Sequence, residues 1–96
     1  MFIIFLFKEK FMLTITHRIK DENGIHARPA GLLATEAKKF VCDIFVEKNG
    51  KKANAKKIFE VMSLCVKGND EITVTISGED EIKAFDALAI FLKNNL

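Results

Sequence analysis

The stretch LTITHRIKDENGIHARPAGLLATEAKKF, residues 13–40, changes its hydrophobic period halfway along, and that change sets the fold. Leu13, Ile15 and Ile19 alternate with Thr14, Thr16, Arg18 and Lys20, the period of a strand with one buried face; His17 falls on the apolar side. Asp21-Glu22-Asn23-Gly24 is turn-forming. Beyond it Ala30, Leu33, Ala34, Ala37 and Phe40 recur at helical spacing, and Pro29 suits a first helical turn. The spacing predicts strand, loop and helix in succession, with the helix starting just after His26.

Reading outward, Cys42, Ile44 and Val46 alternate with Asp43, Phe45 and Glu47, and Asn49-Gly50 supplies a two-residue hairpin turn before a strand returns over residues 51–54. Ile58, Val61, Met62 and Cys65 mark a short helix, with Gly68 expected as its left-handed cap. Over residues 71–77, Ile72, Val74 and Ile76 oppose Thr73, Thr75 and Ser77 as a one-sided strand. From Asp80 a long amphipathic helix carries Ile82, Phe85, Leu88, Ala89 and Leu92, with acidic residues at its positive end. The order is βαββαβα. Polar alternation on the strands leaves one sheet face open, so the expected class is α+β: an open-faced β-sandwich, a four-stranded antiparallel sheet with three helices on one face.

Ninety-six residues, 49% of them hydrophobic, are enough for one core and too few for a two-lobed enzyme. Fifteen Lys and Arg nearly balance thirteen Asp and Glu, and the aromatic residues do not interleave with a basic stripe, so no nucleic-acid partner is expected. Residues 1–11 read as an N-terminal extension to a domain spanning residues 12–96: an upstream start, a tail or an extra strand. Met1 to Phe7 is apolar but lacks the leading basic residues of a signal peptide and is too short for a membrane span, which predicts a cytoplasmic protein with no membrane partner. Cys42 and Cys65 have no metal or redox spacing and are expected as buried free thiols; no metal or cofactor is implied.

Gly24-Ile25-His26-Ala27-Arg28-Pro29-Ala30 puts His26 at the mouth of the first helix. The unpaired N–H groups of a first turn, those of Ala27 and Arg28 among them, and the positive end of the helix suit a phosphate. The Arg28 guanidinium adds fixed charge and paired donors. A ring nitrogen lone pair there can attack phosphorus, and phosphoryl transfer needs placement and charge stabilisation more than a metal or an elaborate acid-base apparatus. His17 has no arginine or loop beside it in the sequence and is read as structural.

The Gly24 to Ala30 motif resembles the phosphorylated-histidine motif of HPr, the phosphocarrier family of the bacterial phosphoenolpyruvate:sugar phosphotransferase system. Asn49-Gly50-Lys51 and Lys56-Lys57-Ile58-Phe59-Glu60-Val61-Met62-Ser63-Leu64 also resemble that family, and the element order agrees over roughly Met12 through Leu96. The resemblance implies that His26 takes a phosphoryl group on Nδ1 from enzyme I and passes it to enzyme IIA components of sugar transporters, as a stoichiometric carrier and a monomer rather than an enzyme. It implies that Arg28 steadies the phosphate and that Ile58, Phe59 and Met62 are exposed to dock both partners, whereas Val61 and Cys65 are assigned to the core. An alternative within the same fold is a regulatory module whose phosphorylation state controls a partner without feeding sugar uptake. In one place the chain departs from the family pattern: Lys57 stands where many members carry a regulatory serine, and its positive charge cannot mimic phosphoserine.

Overall fold

The expected alternation becomes a sheet whose inward rows run straight across it. A computed structural model describes residues 12–96; the expectations for residues 1–11 lie outside the described residues. The elements are β1 (Leu13–Arg18), α1 (Ala27–Ala37), β2 (Asp43–Lys48), β3 (Lys51–Asn54), α2 (Ile58–Ser63), β4 (Glu71–Ser77) and α3 (Glu81–Asn95). The sheet order is β1-β4-β2-β3, antiparallel at every pairing.

One inward row joins Ile15, Val74, Val46 and Ala53, and another joins Leu13, Ile76 and Ile44. These meet Ala30, Leu33, Ala34 and Ala37 of α1 and Ala84, Leu88, Phe91 and Leu92 of α3 in a single core. The other face carries Thr14, Thr75, Phe45 and Asn54 in one row and Thr16, Thr73, Glu47 and Lys52 in the next. That alternation is the open-faced arrangement expected, and each buried Ile or Leu contributes about 1.5–3 kcal/mol relative to exposure. Asn49 and Gly50, both at positive φ (51° and 83°), close the β2–β3 hairpin with the backbone twist that a two-residue turn demands.

Three local expectations are corrected. Ile82 is 71% exposed instead of core-facing, because Glu81 turns inward and its Oε1 accepts the Gly78 N–H at 2.8 Å, so α3 buries positions 81, 84 and 88. Cys65 is exposed rather than part of the core; it takes the left-handed conformation after α2 (φ 53°) that was expected of Gly68. Gly68 is needed for closeness: a Cβ there would stand 2.6 Å from Glu22 Cα. Cys42 is buried as expected, and burial together with the Asp80 carboxylate pushes its thiol up to about 12.

The loops at the β1–α1 end are tied together by backbone hydrogen bonds. Ile19 N–H donates to Asp70 O, Asn69 N–H to Ile19 O, Lys20 N–H to Leu96 O and Ile25 N–H to Val66 O. The segment carrying residues 19–25 is therefore clamped to the α2–β4 loop and to the end of α3. His17, paired with Ile72 across β1 and β4, buries its Nε2 without a hydrogen-bond partner among the described residues, as a packed strand histidine.

Candidate functional site: a histidine capping the first helix

His26 is the N-cap of α1, with extended backbone (φ −89°, ψ −171°). Its carbonyl accepts the Ala30 N–H at 3.0 Å, the first intrahelical bond. Among the described residues the donors left over are the N–H groups of Ala27 and Arg28, since Pro29 has none and no side chain there caps the helix. His26, Ala27 and Arg28 are all exposed, whereas Pro29 and Ala30 are buried. The chain thus anchors the helix through its third and fourth residues and offers the first two to solvent.

What holds His26 in place is the loop before it. Asp21 Oδ1 accepts the Asn23 N–H at 2.9 Å, and Asp21 O accepts the Gly24 N–H at 2.9 Å. Gly24 has φ +69°, and its Cα lies against the Val66 carbonyl, so a side chain is excluded on both grounds. The same loop brings Asp21 Oδ2 to 3.8 Å from His26 Nε2. A shallow depression lined by Asp21, His26, Arg28, Pro29, Leu32 and Asn94 opens at this point. Sequence reasoning did not single out Asp21 or Asn94; an aspartate five positions ahead of a histidine carries no periodic signal, and the curl of the loop is what closes the distance.

Two exposed backbone donors, a positive helix end and a guanidinium beside an imidazole can accept an anion and stabilise a phosphoryl group in flight. α2 packs against α1. On α2, Phe59 is 84% exposed, while Ile58 and Met62 are half-buried against the core, so the expectation that all three are exposed is corrected for those two. Val61 is fully buried, as expected. Leu32, on α1, is a further exposed apolar residue. Lys57 precedes α2 as its N-cap, and its Nζ lies 3.7 Å from Glu60, an acidic residue in the first turn that partly offsets the cation at the helix start.

Residues 13–94 match the family model for the PTS HPr component phosphorylation site. The chain belongs to the HPr family. It is 47% identical to the phosphocarrier protein HPr of Buchnera aphidicola subsp. Baizongia pistaciae over 75 residues, 78% of this chain and 88% of that one. It is 42% identical to the HPr-like protein Crh of Bacillus subtilis (strain 168) over 78 residues, 81% of this chain and 92% of that one. A Crh structure, 41% identical with a TM-score of 0.69 and covering 83% of this chain and 92% of that one, is a dimer with a swapped domain. The histidine-containing phosphocarrier protein from Mycoplasma superposes with a TM-score of 0.82 at 36% identity, covering 85% of this chain and 93% of that one. HPr structures share the four-stranded antiparallel sheet and the βαββαβα order. The HPr family consists of phosphocarriers rather than classical enzymes, and this chain is an HPr-like phosphocarrier protein.

Proposed function

We propose that this HPr-like protein accepts a phosphoryl group on His26 from phosphorylated enzyme I and delivers it to enzyme IIA components of sugar transporters. The observation that carries this reading is the exposed His26 at the N-terminus of α1, with the Ala27 and Arg28 N–H groups unpaired among the described residues and Arg28 lining the same depression. The phosphohistidine is the intermediate of the transfer, and Arg28 stabilises the phosphate charge. Phe59 on α2, with Ile58 and Met62 flanking it, forms the apolar part of the partner-docking surface. The carrier works in the cytoplasm as a monomer. It needs no cofactor or metal.

Similarity to Crh supports a second reading, that of a regulatory module whose phosphorylation state is sensed by a partner. The two separate in one experiment: the protein is phosphorylated with phosphoenolpyruvate and enzyme I, then mixed with purified enzyme IIA. Onward transfer supports the transport carrier. Stable retention of the phosphate by a protein that enzyme I charges readily supports the regulatory module.

A further inference from the structure

We propose that Asp21 is a positioning residue for His26: it holds the ring with its Nε2–H toward the carboxylate and so presents the Nδ1 lone pair to phosphorus. The inference rests on the carrier reading above. Its basis is the loop geometry. One Asp21 oxygen is occupied by the Asn23 N–H, which fixes the carboxylate, and the other stands 3.8 Å from His26 Nε2. The Asp21 side chain is half-buried, at 35% exposure, beside the exposed His26 ring at 45%. The separation is longer than a hydrogen bond and within ion-pair range. Catalytic hydrogen bonds that are long in a resting site tighten as charge develops.

Neutral imidazole carries one N–H and one lone pair, and the partner of either nitrogen decides which is which. A carboxylate accepts only, so opposite Nε2 it favours the tautomer with the proton there. In the forward step the Nδ1 lone pair forms the bond to phosphorus. The bond from phosphorus to the phosphoprotein donor breaks, and the bonding pair leaves with the donor. The ring, now substituted on Nδ1 and protonated on Nε2, holds a positive charge that the Asp21 carboxylate faces. On delivery the N–P bond breaks, its electron pair returns to Nδ1, and the ring is neutral again. Asp21 takes no proton in either step and acts only by orientation, as the carboxylate of a catalytic triad does.

Asp21→Asn tests this, because its side-chain oxygen can still accept the Asn23 N–H while its NH₂ replaces an acceptor with a donor opposite Nε2. In the full chain with ¹⁵N-labelled histidine, the neutral His26 ring is expected as the Nε2–H tautomer in the wild type and shifted toward Nδ1–H in Asp21→Asn. Asp21→Glu is expected to restore the wild-type signal. The rate of phosphoryl uptake from phosphorylated enzyme I should fall roughly three- to five-fold in Asp21→Asn, the scale of a partly exposed ion pair. A wild type that takes up phosphate while Asp21→Asn shows the same tautomer or the same rate would overturn the inference and leave the carrier reading standing. A wild type that takes up none overturns the carrier reading and the inference with it.

Discussion

Gly24 lies so close beneath Val66 that a Cβ on it would stand 2.0 Å from the Val66 carbonyl oxygen. That oxygen is the acceptor for the Ile25 N–H at 3.1 Å, one residue before His26. The approach of two loops far apart in sequence therefore sets where the histidine sits. Gly24→Ala would introduce this clash at a position with φ +69°. It is expected to cost about 2 kcal/mol or more in denaturant unfolding, and to slow phosphoryl uptake even in the folded fraction. Unchanged stability would show that the loops separate at no cost.

Arg28→Ala should leave the melting curve almost where it was, because the side chain is exposed. Phosphoryl uptake from enzyme I should slow by about tenfold, equivalent to about 1.4 kcal/mol of transition-state stabilisation. Arg28→Lys should recover only part of that rate, since lysine keeps the charge without the fork of donors. Rate measurements with the three proteins at equal enzyme I check both points.

Phe59 and Val61 stand two positions apart on α2, and only one faces the core. Phe59→Ala is expected to change stability by no more than about 0.5 kcal/mol while raising the enzyme I concentration needed for half-maximal phosphorylation. Val61→Ala should do the reverse, costing about 1–3 kcal/mol in stability with little effect on docking while the protein stays folded. Chemical denaturation together with a titration of phosphorylation against enzyme I separates the two roles.

Asp80 joins the start of α3 to the loop before β2. Desolvation acts to raise its carboxyl, but the N–H groups of Val41 and Cys42 and the Cys42 thiol outweigh it and hold the group below its ordinary value of 3.8. Asp70 is lowered as well, by the Lys67 N–H and by Lys48, whose Nζ is 2.9 Å away. A carboxyl lowered in the folded state contributes stability that is whole above its unfolded pKa and lost as pH falls through the folded one. Stability should therefore drop as the pH goes below about 4, and the drop should be shallower in Asp80→Asn. Urea midpoints measured down through this range test the sign; an equally steep fall in Asp80→Asn would exclude Asp80 as a contributor.

The strand and helix periods were legible because each element buries a single face. Ile72, Val74 and Ile76 could occupy only one side of β4, and the helical recurrence from Ala30 to Ala37 followed directly from the spacing. At α3 the reading failed because a polar contact displaced an apolar one, Glu81 turning inward while Ile82 faces solvent; around α2 it failed because the turn took its left-handed residue at Cys65 rather than at glycine, and Ile58 and Met62 pack partly into the core. At the site, His26, Ala27 and Arg28 were legible because a helix start is a local event. Asp21 was not, because its approach to the ring depends on loops that meet only after the sheet has formed.

The proposed function requires His26 to be the phosphoryl acceptor. The direct measurement is intact mass, followed by mapping of the modified residue, after incubating the protein and its His26→Ala variant with phosphoenolpyruvate and active enzyme I. One acid-labile phosphoryl group is expected on His26 in the wild type and none in the variant, which should stay as stable as the parent to within about 0.5 kcal/mol. Phosphorylation of His26→Ala at the wild-type rate, or of another residue in the wild type, would contradict it.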